Sequence, residues 1–342
     1  MSASLIVKRS LKSAASLARV SLGYPRASAG SINIIAYHRV VADIRKAEQE
    51  AIYGIVISTD TFRRHCEILK RTCEIVSLEK AARMLASGRT GTRPAAVLTF
   101  DDGYVDFYEE AYPVLAEMQL PATMFLPTAF IGTKKPLAHD RIYWLVRQMM
   151  NCSVRMTAAL KRIGLGTDVV YQFDRFASPL KKTDLLVYLP NTLRERIIHE
   201  LECDLGVDFE EYPREYGLLD WEMVREMAAN NIDFGSHSAN HVILPLEDHG
   251  VASKELAESK EKLEGELGKR ITSIAYPNGV YSAAVKQLSS EAGYEIAVTT
   301  ANRINRAGDD PLELGRTSLC EESTRGISGT FSSAVAEMRL KV

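Results

Sequence analysis

Short apolar runs that alternate with helix-forming segments constrain the fold of this chain more than any other feature. The helix-forming segments open on residues that favour the N-cap position, such as Ser58, Asp220 and Ser282. Strands that alternate with helices indicate parallel βα units. A count of about seven strands predicts an α/β fold, a distorted (β/α) barrel. The apolar, β-rich runs that predict strands span residues 32–37, 74–76, 95–100, 123–126, 232–235, 271–276, 296–299 and 314–319.

Length and composition allow one barrel-sized domain with an insertion. The chain has 342 residues, of which 46% are hydrophobic and 25% are charged, and its net charge is −2. These values are typical of a globular protein and argue against a dedicated nucleic-acid-binding protein. We assign residues 32–342 to the barrel domain, with a mainly helical insertion at about 132–216. In a barrel, the insertion would extend from a βα loop on the active face. It would form either a lid or substrate platform, or a variable packing element.

Residues 1–31 form a basic segment that differs from the rest of the chain. Its apolar side chains recur at helical spacing, so one interpretation is a basic amphipathic helix on an anionic membrane surface. A helix packed on the barrel and a transit peptide are the alternatives. The five cysteines contain no Cys-x-x-Cys pair, and no export signal or membrane-spanning stretch is visible, so we expect a cytoplasmic protein, free or peripheral on the inner face of the membrane. The basic residues are Lys8, Arg9, Lys12, Arg19 and Arg26.

The run 95–100 ends in two adjacent carboxylates and a glycine, Asp101, Asp102 and Gly103. Neighbouring side chains on a regular strand point to opposite faces, so the two carboxylates can share a site only where the strand stops. Gly103 allows the backbone to turn there. Alone, such a tripeptide is more typical of a solvated turn. A second cluster further along the chain favours a functional site.

The second cluster is a pair of histidines, His237 and His241, four residues apart after another predicted strand. Side chains at this spacing project from one face of a helical turn and can bind one metal ion, with a carboxylate completing the ligand set. Two imidazoles and one carboxylate leave coordination positions open, as in catalytic sites, whereas structural zinc sites are closed by four protein ligands. A divalent ion acidifies its bound water and polarises a carbonyl oxygen, which are the two needs of amide hydrolysis. The remaining carboxylate can then act as general base.

Together these motifs resemble the polysaccharide deacetylase family, carbohydrate esterase family four with its NodB-homology domain. The resemblance rests on Thr-Phe-Asp-Asp-Gly at 99–103, on His-Ser-x-x-His at 237–241, and on a strand followed by Tyr276 and Pro277. It covers residues 32–319 apart from the insertion, and it also implies a distorted (β/α) barrel.

The resemblance implies a role for each residue of these motifs. Asp101 matches the catalytic base. The loop of Tyr276, Pro277 and Asn278 matches a motif in which a backbone N–H helps to hold the oxyanion on the substrate side. The expected cofactor is one divalent metal ion, Zn²⁺. The residues that match its ligands are Asp102, His237 and His241.

Two departures from the family pattern change these assignments. Ala275 stands where the family has an arginine that orients the catalytic aspartate. We expect Arg316, at the lip of the last predicted strand, to replace it on the substrate side, with a surface ion pair as the alternative. The late histidine that serves as general acid has no counterpart, so our hypothesis is that His38, after the first strand, protonates the leaving amine. We interpret the other histidines as structural: His65, His139, His199 and His249.

The implied function is a metal-dependent hydrolase that removes N-acetyl groups from amino sugars of a polysaccharide, oligosaccharide or lipid-linked glycan. A hydrolase of another C–N bond, such as a cyclic ureide or imide, is one alternative. A non-catalytic carbohydrate-binding relative is another, although the retained Asp101 argues against it because a binding protein needs no base. A non-haem iron oxygenase uses the same ligand types, but here the carboxylate lies far upstream of the histidine pair.

Overall fold

The computed structural model describes residues 29–88, 91–150, 153–176, 178–208 and 212–341. Strands in these residues are short, and each is followed by a helix or loop before the next one. The strands are β1 (Ile32–Tyr37), β2 (Arg39–Val41), β3 (Val56–Ser58), β4 (Glu74–Ile75), β5 (Ala95–Phe100), β6 (Ala122–Leu126), β7 (Ile232–Ser236), β8 (Ser273–Ala275), β9 (Ile296–Val298) and β10 (Arg316–Ser318).

A parallel sheet of eight of these strands forms the centre of the fold. Its order is β10-β1-β5-β6-β7-β8-β9, and β4 pairs with the start of β5. A parallel bridge between Val298 in β9 and Leu314, just before β10, connects the two ends of the sheet. The sheet is therefore a nearly closed barrel surrounded by helices, which confirms the predicted α/β barrel. β1 and β5 are buried along their whole length, as expected for parallel strands covered on both faces.

The helices begin and end at signals that the sequence carries. The side chains of Ser58, Asp220 and Ser282 accept backbone N–H groups at helix starts. Gly88 and Gly268 end two helices in the left-handed conformation. The helices are α1 (Ile44–Glu50), α2 (Thr59–Thr72), α3 (Leu78–Ser87), α4 (Tyr112–Met118), α5 (Ala138–Gln148), α6 (Ser153–Arg162), α7 (Thr167–Arg175), α8 (Pro179–Val187), α9 (Asn191–Leu205), α10 (Trp221–Ala228), α11 (His249–Leu267), α12 (Ala283–Glu291) and α13 (Ser333–Arg339). Short 3₁₀ turns lie at Arg214–Tyr216, Leu244–Leu246, Pro277–Gly279, Pro311–Glu313 and Glu321–Thr324.

Several local elements differ from the sequence prediction. The first helical segment after β5 is not regular, because it begins with a π-helical turn, Phe107–Ala111, before α4 starts. β2 and β3 form a separate two-stranded parallel sheet, with α1 between them in sequence. The sequence predicts neither this sheet nor α13, because elements of three to seven residues are too short to show a hydrophobic period.

The described residues of the insertion contain five α-helices, α5 to α9. Their apolar side chains, including Ile142, Leu145, Leu160 and Ile197, form a core of their own. A separate apolar cluster lies between the barrel and its helices. The insertion leaves the barrel at the C-terminal end of β6, which is paired in parallel with β5. It therefore starts at the same edge of the barrel as the two carboxylates that follow β5.

The basic N-terminal segment lies almost entirely outside the described residues, which begin at residue 29. Its placement on a membrane surface stays a prediction. Within the described ranges, no helix is both long enough and apolar enough to cross a membrane. Four cysteines are free thiols, and Cys152 lies outside the described residues. The free thiols are Cys66, Cys73, Cys203 and Cys320.

Candidate active site

The two carboxylates of the Asp-Asp-Gly segment lie at the C-terminal edge of the barrel, directly after β5. The N–H of Asp101 donates to the carbonyl of Tyr37 in β1 (3.1 Å), so Asp101 still continues the sheet. Asp102 and Gly103 then adopt left-handed conformations, with φ of 75° and 71°. A Cβ on Gly103 would lie 2.7 Å from Cδ2 of Leu126, so this turn requires glycine. The turn brings both carboxylates into one buried site.

Arg316 holds the carboxylate of Asp101 from inside the barrel. Its Nη1 and Nη2 donate to Oδ1 and Oδ2 of Asp101 at 2.7 and 2.6 Å. Its Nε donates to the carbonyl of Thr299 at 3.0 Å. Arg316 is the first residue of β10 and lies opposite Ile34 in the middle of β1, not at the lip of the strand as we predicted. The residue is 1% exposed, so the alternative of a surface ion pair is wrong.

This contact keeps Asp101 ionised in spite of its burial. Burial alone raises the pKa of the carboxyl group. The guanidinium of Arg316, with smaller contributions from His237 and His38, outweighs burial and holds the pKa of Asp101 below its ordinary value. Asp101 is therefore a carboxylate at neutral pH and can accept a proton.

Asp102, His237 and His241 come together at the same edge, with potential ligand atoms that all lie within 4.8 Å of one another. Oδ1 of Asp102 lies 3.1 Å from Nε2 of His241 and 3.6 Å from Nε2 of His237. The two imidazole rings are 4.7 Å apart between centroids and nearly perpendicular, at 82°. All three residues are buried. The structure thus brings the three predicted ligands into one cluster.

The protonation pattern of this cluster fits a divalent cation. Nδ1 of His237 lies 2.7 Å from the carbonyl oxygen of Ala275. Since a carbonyl only accepts, Nδ1 carries the ring proton and Nε2 presents a lone pair to the carboxylate. Oδ1 of Asp102 is buried and makes no hydrogen bond of good geometry within the described residues. Burial lowers the pKa of His237 to about 4, so its ring is neutral at pH 7. Neutral imidazole and carboxylate donors that face one another in this way suit Zn²⁺.

The histidine pair stands on an irregular loop, so the helical turn that its spacing predicts is wrong. The chain is irregular from the end of β7 to the 3₁₀ turn at Leu244–Leu246. Ser238 and His241 adopt left-handed φ values of 59° and 51°. The Oγ of Ser238 accepts the N–H of Val242 at 3.2 Å and helps to fix the bend. Left-handed non-glycine residues are costly and cluster at functional sites. Here the bend of the loop, not a helix, aligns the two rings.

His38 lies directly after β1, at the edge that also carries Asp101. Its Nε2 is 4.0 Å from Oδ2 of Asp101. Its side chain is 25% exposed, whereas that of Asp101 is 4% exposed. The structure therefore places an imidazole beside the buried carboxylate, on the side that is open to solvent. Its role as general acid stays a prediction.

In the third motif, the side chain of Tyr276 contacts residues other than the two carboxylates. The ring of Tyr276 is buried and stacks on Tyr281, with centroids 5.1 Å apart. Its hydroxyl donates to the carbonyl of Leu312 at 3.2 Å. Pro277 is buried, and Asn278 follows with a left-handed φ of 55°. These contacts occupy the ring and hydroxyl of Tyr276. They agree with the expectation that the backbone of this loop, and not the ring of Tyr276, holds the oxyanion.

The structure adds His139, which the sequence analysis placed among the structural histidines. His139 is the second residue of α5, the first helix of the insertion. Its Nε2 lies 4.0 Å from Oδ2 of Asp102, and its ring centroid is 5.0 Å from that of His241. The sequence signal that could have identified His139 as a site residue is its position. An insertion that follows a barrel strand begins at the edge where the strands place site residues.

Comparison with known proteins agrees with this geometry. A sequence profile described as polysaccharide deacetylase matches residues 88–152 and 167–297, which is more than half of the chain. The Bacillus subtilis (strain 168) protein YxkH, a polysaccharide deacetylase by name, is 21% identical over 222 residues, which are 65% of this chain and 50% of that protein. The chain thus spans about half the length of this curated relative.

Two solved structures share the fold at low sequence identity. The Streptococcus pyogenes deacetylase PplD, in complex with acetate, gives a TM-score of 0.56 at 19% identity and covers 87% of this chain and 96% of its own. IcaB from Ammonifex degensii gives a TM-score of 0.58 at 18% identity, with 87% and 96% covered. The profile match over more than half of the chain shows that this protein belongs to the polysaccharide deacetylase family.

Proposed function

We propose that this protein is a divalent-metal-dependent hydrolase that removes N-acetyl groups from amino sugars of a polysaccharide, oligosaccharide or lipid-linked glycan. The observation that carries the proposal is the contrast between two adjacent carboxylates. Asp101 is paired with Arg316, whereas Asp102 faces two histidines. When bound by Asp102 and these histidines, Zn²⁺ would polarise the acyl oxygen and lower the pKa of the attacking water. Family membership supports the substrate class, and the related fold of PplD was solved with acetate.

Asp101 is the general base in this proposal. Its carboxylate stays ionised because Arg316 holds both of its oxygens. It lies beside the candidate metal ligands without being one of them. A fixed, ionised carboxylate at this place can take the proton of the attacking water, a contribution typically worth about 10² to 10⁴ in rate.

His38 is the general acid, which donates a proton to the leaving amine nitrogen. An amine is a poor leaving group unless it is protonated as the C–N bond breaks. His38 lies 4.0 Å from Asp101, and its side chain is more exposed than the carboxylate. This position supports a proton donor on the substrate side of the base.

The N–H of Asn278 is the donor that we assign to the oxyanion. The N–H of Tyr276 already donates to the carbonyl of Val298 at 3.1 Å. Pro277 has no N–H. The N–H of Asn278 has no hydrogen-bond partner among the described residues, so it is the donor left in the matching loop. A backbone donor aimed at a developing negative charge stabilises a tetrahedral intermediate.

The test is acetate release from N-acetylglucosamine oligomers by the purified protein, with and without a chelator and with added Zn²⁺. Asp101→Asn should lower release by about 10²- to 10⁴-fold, because an amide cannot accept the proton. Asp220→Asn is the matched control. It makes the same chemical change at the start of α10, where asparagine caps as well as aspartate, so it should keep the activity.

Chelator-sensitive release that Asp101→Asn abolishes would support the proposal. A protein that holds one divalent ion per chain but releases no acetate would contradict it. That result would favour another amide substrate, such as a cyclic ureide or imide, or a carbohydrate-binding function.

We also propose that the protein works in the cytoplasm and that its basic N-terminal segment contacts the anionic inner face of the membrane. The support is the excess of basic residues before position 43, where no acidic residue occurs. Sedimentation of the whole chain with vesicles of phosphatidylserine should exceed that with vesicles of phosphatidylcholine and should weaken at high salt. Equal sedimentation with both lipids would contradict the membrane contact.

A further inference from the structure

Two residues of the insertion contact candidate metal ligands. One of these residues lies in the first helix of the insertion and the other in its last helix. His139 in α5 lies beside Asp102. Arg194 in α9 donates to the carbonyl of His241. We infer that the insertion is part of the metal site and that His139 and Arg194 are positioning residues for Asp102 and His241. The inference rests on the proposed function and deepens it.

A chain of hydrogen bonds fixes the ring of His139. The hydroxyl of Tyr104 donates to Oδ2 of Asp140 at 2.7 Å, so it accepts from Nε2 of His139 at 3.0 Å. Nε2 of His139 is then held 4.0 Å from Oδ2 of Asp102. The ring fills the space on this side of Asp102, which keeps Oδ1, the other oxygen, between the two histidine ligands. Partners of this kind tune the ligands of metal sites.

Arg194 acts on the backbone of the second histidine ligand. Its Nη2 donates to the carbonyl of His241 at 3.3 Å and to Oδ1 of Asn191 at 3.0 Å. His241 has a left-handed φ of 51°. This conformation is costly for a residue other than glycine, so contacts with its surroundings must hold it. A donor on its carbonyl favours the conformation that points the imidazole at Asp102.

Packing alone does not account for Arg194. The side chain is 1% exposed, and its Nε and Nη1 make no hydrogen bond within the described ranges of the chain. A buried guanidinium without full hydrogen bonding is costly, and an apolar side chain of similar size would pack better. The insertion already has an apolar core of its own. A contact with a metal ligand gives this costly arginine a function.

The test compares the metal affinity of His139→Leu, His139→Gln and Arg141→Leu with that of the wild type. Glutamine keeps an N–H donor near the place of Nε2, whereas leucine keeps only the bulk. Arg141 lies in the same helix as His139 but binds Glu195 and Glu202 within the insertion, at 3.1 and 2.7 Å. Its loss weakens these contacts within the insertion. The measurements are Zn²⁺ affinity by competition with a chelator, the visible spectrum of the Co²⁺ form, and thermal unfolding of the metal-free protein.

We expect His139→Leu to weaken Zn²⁺ binding by about 10- to 100-fold and to change the Co²⁺ spectrum, because Asp102 loses its fixed orientation. His139→Gln should recover most of the affinity. Arg141→Leu should lower the unfolding temperature and leave the affinity unchanged. Wild-type affinity in His139→Leu, or an equal loss of affinity in Arg141→Leu, would overturn this inference and leave the proposed function standing. A wild type that binds no divalent ion would overturn both.

Two further variants cover the case in which His139→Leu does not fold. Tyr104→Phe removes only the hydroxyl that holds the ring, and Arg194→Met removes only the donor to His241. Each should weaken Zn²⁺ binding and change the Co²⁺ spectrum in the same direction. Unchanged affinity in both folded variants would overturn the inference.

Discussion

At the scale of single residues, the contact between Arg316 and Asp101 should set the pH range in which Asp101 can act as the proposed base. Replacing the planar fork of arginine by lysine removes one of the two parallel hydrogen bonds. The carboxylate is then less stabilised, so the pKa of Asp101 rises and the base becomes protonated at a higher pH. We expect the acidic limb of the pH profile of kcat/KM to move upward by about one unit or more in Arg316→Lys.

The control for this prediction is Arg270→Lys, which makes the same change at an exposed pair with Glu295. Its pH profile should match that of the wild type, because an exposed ion pair far from the base does not affect the charge of Asp101. An acidic limb that stays in place in Arg316→Lys would contradict the role given to Arg316.

The second prediction at this scale concerns His38 as proton donor. His38→Gln should lower kcat for N-acetylglucosamine oligomers by about 10²- to 10⁴-fold, with a small change in KM. Hydrolysis of 4-nitrophenyl acetate should fall much less, because nitrophenolate leaves without a proton. The comparison of the two substrates separates acid catalysis from a general loss of structure. Unchanged turnover of the oligomers would remove His38 from the mechanism.

At the scale of elements, the turn after β5 decides whether the two carboxylates share a site. Gly103 has a left-handed φ of 71°, and a Cβ there would lie 2.7 Å from Leu126. Gly88, at the end of α3, has a similar φ of 64° with nothing within 4 Å of its Cβ position. Gly88→Ala therefore costs only the backbone strain, about 1–2 kcal/mol.

Gly103→Ala adds the clash with Leu126 to this strain. Overpacking typically costs about 1–3 kcal/mol, so we expect Gly103→Ala to lower the free energy of unfolding by about 2–5 kcal/mol. Urea denaturation of the two metal-free variants measures the difference. Equal destabilisation by Gly103→Ala and Gly88→Ala would show that the close approach of Leu126 has no energetic effect.

At the scale of the whole molecule, the barrel and the inserted helices have separate apolar cores and meet at the edge that carries the candidate active site. The helices around the barrel also carry buried polar groups that link global stability to pH. His65 in α2 is buried, with Nδ1 3.0 Å from the hydroxyl of Tyr37 and Nε2 3.2 Å from Oγ1 of Thr324. Burial lowers the pKa of His65 to about 3. The stability of the barrel should therefore depend on pH through this residue.

The sign of this dependence follows from proton binding. In the unfolded chain His65 has a pKa of about 6.5. Between pH 6.5 and 3 the unfolded chain binds a proton that the folded protein does not, so the free energy of unfolding falls as the pH is lowered, by up to about 1.4 kcal/mol per pH unit. Between pH 7 and pH 5, His65→Gln should lose about 2 kcal/mol less than the wild type.

Urea denaturation at the two pH values measures this difference. His199→Gln is the control, because His199 is exposed on α9 and its replacement should leave the pH dependence unchanged. The same loss of stability in the wild type and in His65→Gln would contradict the prediction.

The sequence by itself determined the elements and the chemistry of the motifs. Apolar runs and N-capping residues predicted the barrel strands and most barrel helices, because these signals are local. Asp101, Asp102 and Gly103 predicted a turn that brings two carboxylates into one site. Successive side chains of a strand point to opposite faces, so the strand must end for both to share a site. The pair His237 and His241 indicated a ligand set through its residue types, although its spacing predicted a helix that the structure does not have.

Only the tertiary structure decided which distant residues complete the site. Arg316 reaches Asp101 because β10 pairs with β1 in a register that places the arginine inside the barrel. His139 reaches Asp102 because α5, the first helix of the insertion, begins at the edge of the barrel that carries Asp102. Strand register and the path of an insertion depend on contacts between residues far apart in the chain, and hydrophobic period and capping signals describe only neighbours. That is the physical reason why the sequence indicated the carboxylates, the ligands and Arg316 as a candidate, but neither the buried contact of Arg316 with Asp101 nor the position of His139.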